Sequence, residues 1–408
     1  MFRKTLITTL VSSMFAASLS AANIDDVVMQ AYEKNLTLRT LEKSLDVAKQ
    51  EIELSTKWKN PTLTLGANDL QFSDFSRRDK EAMQAQFIGF SQVFPIGDKL
   101  DTQKDIALND YEISKLEIED KKLQFKSLIY EYLYNIEFIK QRLALFDEFK
   151  DNTKKLEDLL NKLYEYNKAS QVQVLNSQIM YKELNLKSQT LQTRLNTTIL
   201  KLEQIVYEKI DNIDIDTSLK TLKLSKDIST HPKLQIIDES IKKFDNLSIL
   251  ERQKKFSDIK LNVAYFQRDE KFDDYMNLSV AIPLSIYGSE NIKSAKAKYK
   301  TVELNHKLQD MQKIFENTID TLQQKMDDSL ETYSIVEDDI LPKYNQLQTV
   351  LEEYNSANAY KNIDAKALID NLNEIIKYKL KAVNEKQNYF DAYSKSKYFE
   401  KDNKRDNK

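Results

Sequence analysis

The sequence of 408 residues contains no cysteine, two histidines, one tryptophan, four glycines and five prolines. The absence of cysteine excludes disulfides, thiol catalysis, thiolate metal sites and a lipid anchor on an N-terminal cysteine. The scarcity of glycine and proline favours long helices, because these residues are the usual helix breakers. No stretch beyond the N-terminal segment has as many as about 18 consecutive apolar residues, so we expect no transmembrane helix. If this chain enters a membrane, it must do so by strands.

The charge and the functional residue types exclude several classes of protein. The formal net charge is -3, so there is no basic excess to neutralise phosphates, and nucleic acid is not an expected partner. No nucleophile motif, phosphate-binding loop or histidine–glutamate cluster occurs, so we expect neither an enzyme nor a bound cofactor. The histidines, His231 and His306, are far apart in sequence and the methionines are not closely paired, so no metal site is expected.

Residues 1–22 have the pattern of a secretory signal peptide. Arg3 and Lys4 precede an apolar run, and small residues at Ser20 and Ala22 fit a cleavage site. The alternative is a membrane anchor, but the apolar run is short for a bilayer span. We therefore predict export, with a mature chain that begins at Asn23.

The rest of the chain repeats one pattern of a helix, two short strands and long helices. The strand and turn residues at 59–65 and 87–99 have counterparts at 259–265 and 278–288, roughly 190 to 200 positions later. The predicted organisation is a first repeat at 23–208, a linker at 209–230, a second repeat at 231–398 and a disordered charged tail at 399–408. The strand hairpins are expected at about 61–95 and 258–284, and the helix reversals at about 166–171 and 354–363.

The helical segments are predicted from apolar residues spaced three and four apart. They run over about 23–58, 100–166, 172–208, 291–354 and 364–398, and the second of these would reach roughly 100 Å. Within 291–354 the spacing is close to an eleven-residue period before Ile340 and heptad after it, which predicts straight helices followed by left-handed coiled coil. The alternative is noise in a leucine-rich helix. Pro342 lies at this junction and is expected to kink the helix.

The strands alternate between apolar and polar residues. In the first strand of the first repeat, Leu63, Leu65 and Ala67 are expected to share a face. In its second strand, Met83, Ala85 and Phe87 are expected on one face and Gln84, Gln86 and Ile88 on the other. The second repeat alternates more cleanly, with apolar Ile259, Leu261, Val263 and Tyr265, then Met276, Leu278, Val280 and Ile282. Such alternation fits either a half-buried soluble sheet or a membrane strand. Because open sheet edges are not tolerated in lipid, the membrane interpretation requires an oligomer.

These features together resemble the TolC family of outer membrane efflux proteins over essentially the whole mature chain. Each motif is weak, but their order and duplication are specific. The resemblance rests on five short motifs: Asn35-Leu36, His231-Pro232-Lys233-Leu234, Phe94-Pro95-Ile96-Gly97, Ile282-Pro283-Leu284 and Ile340-Leu341-Pro342. The corner at 91–99 looks most like the heavy-metal or cation efflux branch.

The resemblance implies a mainly α fold with a small β part. Long antiparallel helices would form a periplasmic α-barrel, and each protomer of a homotrimer would give four strands to a twelve-stranded β-barrel. It also implies an outer membrane location in a Gram-negative bacterium, contact with outer membrane lipid, and a large periplasmic part. The implied partners are a periplasmic adaptor, or membrane fusion protein, and an inner-membrane pump of the resistance-nodulation-division type.

Candidate site residues belong to three groups. The helix reversals would contact the adaptor through Tyr166, Asn167, Lys168, Ala169, Ser170, Tyr354, Asn355, Ser356 and Ala357, with Asn167 and Asn355 able to adopt the left-handed conformation. The strand–helix corners contain Pro95, Gly97, Pro283 and Gly288. Asp364 and Asp370 could ring a tunnel and form an electrostatic gate. The family's gate has paired acids one turn apart; Asp370 matches the second, whereas the first position is Ala367. A solvated helix face is the alternative.

We therefore expect a passive export channel of a tripartite efflux system that carries metal cations or drugs. A type I secretion duct of the same fold is one alternative. Another is a soluble periplasmic coiled-coil scaffold or adaptor, although the chain lacks the compact Gly-, Val- and Pro-rich domain of an adaptor. A periplasmic enzyme would need a site that the sequence does not contain.

Overall fold

The computed structural model describes residues 23–210, 215–357 and 365–400. The predicted signal peptide, the reversal residues 358–364 and most of the predicted tail therefore lie outside the described residues. The elements, in chain order, are α1 (Ile24–Lys34), α2 (Leu36–Ser55), β1 (Thr62–Asn68), β2 (Ala85–Phe94), α3 (Lys99–Glu165), α4 (Gln171–Val206), α5 (Pro232–Gln253), β3 (Ile259–Gln267), β4 (Tyr275–Ala281), α6 (Ser289–Ser334), a π-helix (Ile335–Ile340), α7 (Leu341–Ala357) and α8 (Ala365–Ser396). No helix in the described ranges combines the length and the apolar character needed to cross a membrane.

The first predicted helix is two helices, because the chain is extended at Asn35. Asn35 has φ -67° and ψ 118° and is buried, and its side-chain amide donates to the carbonyl oxygen of Ile205 at 2.8 Å. Asparagine side chains compete with the helical backbone for hydrogen bonds, which makes a break at this residue physically reasonable. The prediction of one helix over 23–58 was therefore wrong at this position.

The described chain divides into two compact units. The first comprises the described residues within 23–35, 125–221 and 325–394. Its largest aromatic cluster brings Tyr134 onto Phe390, with ring centroids 4.3 Å apart, and Tyr130 and Tyr393 beside them. The hydroxyl of Tyr130 donates to Asp25 at 2.7 Å, so α1 is tied to α3 by a polar contact as well as by its buried apolar face.

The second unit comprises residues 36–124, 222–324 and 395–400. Its helical core is built from Ile228, Leu234, Phe315 and Ile319, packed by Tyr398 and Phe399. His231 caps the N-terminus of α5: its Nδ1 atom accepts from the backbone N–H of Lys233 at 3.1 Å, and Pro232 follows in the first helical turn. This arrangement is a helix start of the kind that proline at the first helical position favours.

The four strands form one antiparallel sheet in the order β1-β2-β3-β4, within the second unit. One row of paired residues crosses all four strands at Thr62, Ser91, Asn262 and Ser279. The two repeats are joined through β2 and β3, so each repeat contributes one hairpin. Within the described structure, β1 and β4 each have an edge without a neighbouring strand.

A six-residue π-helix lies immediately before Pro342, where the sequence predicted a kink. The backbone N–H of Leu341 donates to the carbonyl oxygen of Val336, five residues earlier. Proline lacks an N–H, and its ring crowds the carbonyl of the residue four positions back. The wider turn relieves this crowding, and the helix continues as α7. Val336, within the π-helix, and Leu341, directly after it, pack with Ala382.

Candidate functional site

The sheet has one apolar face that is open to the surroundings. The strand register places one set of large apolar residues on this face, and most of them are exposed, with Leu65 at 69% and Leu278 at 70%. The set is Leu63, Leu65, Ile88, Phe90, Phe94, Ile259, Leu261, Val263, Tyr265, Met276, Leu278 and Val280. An exposed apolar patch of this extent is unusual on a water-soluble monomer.

The opposite face of the sheet is mainly small and polar. Its residues include Thr62, Thr64, Ser91, Asn262, Asn277 and Ser279, together with Gly66, Gly89 and Ala264. The expected faces of β1, β3 and β4 are confirmed by this register. In β2 the register keeps Ala85 with Phe87 and Gln86 with Ile88, as expected, but the polarity assigned to the two groups was wrong: Ile88 lies on the apolar face, whereas Ala85 and Phe87 lie on the polar face. The pattern misled because Phe87 and Ile88 are adjacent and both apolar, and only the pairing partner decides between them.

Three aromatic residues interrupt the polar face near the loop end of the sheet. Phe87, Phe266 and Tyr275 lie in one cross-strand row, with ring centroids 5.1 and 4.7 Å apart. Arg268 stacks on Tyr275 and donates to the carbonyl oxygen of Ala82 at 3.1 Å, so it links the two hairpin loops. The exposed ammonium of Lys271 lies 3.5 Å from Asp79 of the other loop and adds a weaker contact.

At the other end of the sheet, each strand pair passes into a long helix at a corner that contains glycine. Gly97 and Gly288 have φ of +73° and +70°, a conformation that side chains with a Cβ atom rarely adopt. The Lys99 ammonium, in the first turn of α3, lies 2.6 Å from a carboxylate oxygen of Asp258, which directly precedes β3. The first corner is therefore held against the second repeat by an ion pair whose lysine is almost fully buried.

The turn between α3 and α4 has a well-defined geometry at both ends. Asn167 has φ +55°, and the N–H groups of Asn167 and Lys168 donate to the carbonyls of Tyr164 and Leu163 at 3.0 and 2.7 Å. This is a Schellman ending, with asparagine in place of the usual glycine. Ser170 then caps α4 in a reciprocal capping box with Gln173. Tyr166 and Lys168 are exposed, whereas Ala169 packs against Leu156, Leu160 and Val174.

The fold was compared with solved structures. The Campylobacter jejuni CmeC outer membrane channel matches with a TM-score of 0.70 at 12% identity over 92% of this chain and 85% of that chain. The open state of the Neisseria gonorrhoeae MtrE outer membrane channel gives 0.68 at 12% identity, over 92% and 88%. CusC, whose structures describe transmembrane channel formation, gives 0.69 at 11% identity, over 92% and 91%. This chain has the TolC-like fold. The resemblance seen in the sequence is thereby confirmed at the level of the fold.

No protein-family model matches this TolC-like chain, and no curated protein matches it. The likeness is therefore one of fold, at 10–12% sequence identity to the compared structures.

The predicted second reversal of the TolC-like chain begins later than expected. Tyr354, Asn355, Ser356 and Ala357 belong to the end of α7, so the expected left-handed position at Asn355 was wrong. Tyr354-Asn355 repeats Tyr166-Asn167, but the Ser-x-x-Gln capping pattern of Ser170 and Gln173 has no equivalent after Tyr354. Asp364 lies outside the described residues. Asp370 is exposed on α8, next to Ile369 and Leu372, which pack against the Leu156 cluster.

A cavity at the helix end of the sheet was missed by the sequence reasoning. It has a volume of about 660 Å³ and is lined by lysines and apolar residues from the strand–helix connections, among them Lys57, Trp58, Lys59, Lys260 and Tyr287. The signal that could have found it is Lys57-Trp58-Lys59, where the only tryptophan of the chain lies between two lysines directly before β1. No group of three or more potential metal-ligating side chains occurs in the parts of the chain that the structure describes.

Proposed function

We propose that this protein is the outer membrane channel of a tripartite efflux system, which passively conducts substrates received from a periplasmic adaptor and an inner-membrane pump. The observation that carries the proposal is the two-faced sheet on a TolC-like fold. One face exposes large apolar side chains and the other presents threonine, serine and asparagine. Contact with lipid would match the apolar side chains of the first face, and contact with water would match the polar side chains of the second.

The unpaired sheet edges support an oligomer. A strand in lipid must have its backbone N–H and C=O groups paired, so the edges of β1 and β4 require neighbours. Because β1 and β4 run antiparallel to one another, β4 of one copy can pair with β1 of the next, which is a head-to-tail contact that closes into a ring. We propose a homotrimer, in which three copies supply twelve strands.

The helical ends supply the proposed contacts with other components. The Schellman turn at 166–170 presents exposed Tyr166 and Lys168 from a rigid framework, and we propose that it contacts the adaptor. The second contact would involve the end of α7 at Tyr354–Ala357. Asp370, with Asp364, would form a ring of carboxylates in the assembled channel, where like charges drawn close attract cations and narrow the passage.

Cysteine labelling tests the membrane topology directly, because the chain has no cysteine of its own. Single variants on the apolar face (Leu65→Cys, Phe90→Cys, Leu278→Cys) are compared with neighbours on the polar face (Thr64→Cys, Ser91→Cys, Asn277→Cys). In isolated outer membranes, a membrane-impermeant maleimide should modify the polar-face set and spare the apolar-face set. After denaturation in SDS, both sets should react equally, which controls for expression.

Two outcomes would reject the proposal. Equal labelling of both faces in membranes would mean that the apolar face is not covered by lipid. Recovery of the protein only in the soluble periplasm, without a heat-modifiable oligomer, would support a coiled-coil scaffold instead. Copurification with an adaptor and a transporter after cross-linking would distinguish an efflux system from type I secretion, since the two classes of pump differ in sequence.

A further inference from the structure

The cavity at the helix end of the sheet lies on the polar face. Its three strand residues, Val93, Lys260 and Ala281, all belong to that face in the strand register. Its remaining walls come from the segments that connect strands and helices and from the adjoining helix ends. If the polar face lines the channel, as the proposed function requires, the cavity opens into the conducting path.

The cavity has an excess of positive charge. Five lysines line it, at positions 57, 59, 99, 254 and 260, together with only two carboxylates, Asp258 and Glu290. Lys99 is paired with Asp258 at 2.6 Å, and Lys254 with Glu251 at 2.5 Å. Lys57, Lys59 and Lys260 have no salt bridge to any described residue.

Two helix N-termini add to this positive potential. α3 begins at Lys99 and α6 at Ser289, and both residues line the cavity. The N-terminal end of a helix carries partial positive charge on its unpaired N–H groups, which favours a nearby anion. Each helix also has a carboxylate in its first turn that offsets part of this effect: Asp101 in α3 and Glu290 in α6, of which only Glu290 lines the cavity. Asp258, the other carboxylate that lines the cavity, is already paired with Lys99.

Apolar surface lies beside the lysines. Trp58 stands edge-on to Phe94, with ring centroids 5.7 Å apart, and remains 56% exposed. Pro95, Pro283 and Leu284 also line the cavity. An aromatic ring with an exposed face next to unpaired ammonium groups matches a molecule that has an apolar body and an acidic group.

We propose that this cavity is a binding subsite for amphiphilic organic anions, with the apolar body against Trp58 and the acidic group near Lys57, Lys59 and Lys260. The position of this subsite along the export path rests on the proposed function. At the cavity, the channel wall would favour organic anions as substrates rather than metal cations. A free cation would be repelled by the same lysines.

Trp58 provides the measurement, since it is the only tryptophan in the chain. The detergent-solubilised full-length protein is titrated with 8-anilinonaphthalene-1-sulfonate, and quenching of tryptophan emission reports binding close to Trp58. The matched neutral probe is N-phenyl-1-naphthylamine, which has the same aromatic body without the sulfonate. The triple variant Lys57→Gln, Lys59→Gln, Lys260→Gln should bind the sulfonate roughly tenfold or more weakly, with the neutral probe changed less than about twofold. Lys223→Gln, at an exposed position outside the cavity, should bind both probes like the wild type.

Equal quenching by the two probes, or a triple variant that binds the sulfonate like the wild type, would overturn the proposal. A folded variant is shown by an unchanged far-ultraviolet spectrum and oligomeric state. This test can fail independently of the test of the channel. Lysine-dependent binding by a protein found only in the soluble periplasm would support the anion subsite and contradict the channel function. A membrane-embedded oligomer without lysine-dependent binding would support the channel function and contradict the anion subsite.

Discussion

Single residues fix the places where the chain of this protein changes direction. Gly97 and Gly288 occupy equivalent corners in the two repeats, and both have positive φ. Nothing lies within 4 Å of the position that a Cβ atom would take at Gly97, so its requirement is for backbone freedom and not for space. Gly66 is the opposite case, because a Cβ atom there would lie 2.5 Å from the ring of Phe87.

The corner glycine can be tested against a glycine in a strand. We expect Gly97→Ala to lower the free energy of unfolding by about 1 kcal/mol, since an L-residue is strained in the left-handed conformation. Gly89→Ala is the matched control: its added methyl group would meet Ala264 at 3.5 Å, an ordinary contact, in extended backbone. Urea denaturation of the solubilised protein measures both. Equal stability of the two variants would contradict the role assigned to the corner.

His231 is the residue whose protonation should couple stability to pH. Its Nδ1 atom accepts the capping hydrogen bond from Lys233, so the neutral ring carries its proton on Nε2, which lies 3.1 Å from the carbonyl oxygen of Tyr398. Burial lowers the pKa of His231 below its ordinary value of 6.5, and this effect outweighs the opposing influences of the Tyr398 carbonyl and Asp120. The folded state therefore keeps the ring neutral where the unfolded chain begins to take up a proton.

The sign of the pH dependence follows from this depressed pKa. The stabilising contribution is complete above the unfolded pKa of about 6.5 and is lost as the pH falls toward the folded pKa. We expect the free energy of unfolding to decrease as the pH is lowered below about 6.5, and His231→Gln to reduce this slope. His306→Gln, at the exposed second histidine, should keep the wild-type slope. Denaturation at a series of pH values measures it; an unchanged slope in His231→Gln would contradict the assignment.

At the scale of elements, the helices and strands were predictable wherever local periodicity decides the structure. The long helix over 99–165 and the alternating strands of the second repeat follow from spacing alone. Asn35 was not predicted as a break because its cause is a hydrogen bond to Ile205, which lies 170 residues away. The polarity of the two faces of β2 was wrong for the same kind of reason, since the partner strand decides which face is apolar.

The candidate sites were less predictable than the elements. The reversal at 166–170 could be placed because a Schellman ending and a capping box are local patterns. The cavity could not, because Lys260 and Tyr287 meet Trp58 only through the pairing of strands that are far apart in sequence. Turns can thus be predicted from local motifs, whereas a surface formed by both repeats can be identified only once the fold is known.

The turn between α3 and α4 provides the prediction at this scale. Lys168→Glu reverses an exposed charge without touching the Leu156 cluster, against which Ala169 packs, so the fold should be unaffected. If the turn contacts the adaptor, efflux should be lost while the oligomer persists. Lys187→Glu, exposed on α4 four to five helical turns away, should leave efflux intact. Resistance assays and heat-modifiability on gels measure the two properties. Normal resistance in Lys168→Glu would contradict docking at this turn.

At the scale of the whole molecule, the proposed gate depends on assembly, because one exposed carboxylate on α8 does nothing by itself. In a trimer, three copies of Asp370 would face a common axis. We expect Asp370→Ala to raise single-channel conductance in planar bilayers and to weaken block by cations, since the ring of charge is removed. Glu385→Ala, farther along α8, is the control and should conduct like the wild type. Unchanged conductance and block in Asp370→Ala would remove Asp370 from the gate.

The unpaired edges of β1 and β4 also bear on how this protein is made. A newly exported protomer would carry two open sheet edges and an apolar face of more than ten side chains before any neighbour arrived. Such a species is prone to aggregation, and its folding would be governed by protein concentration as much as by sequence. If the protein is the proposed outer membrane channel, it would thus depend on periplasmic chaperones between export and membrane insertion, and its yield would be limited during biogenesis rather than by the stability of the finished assembly.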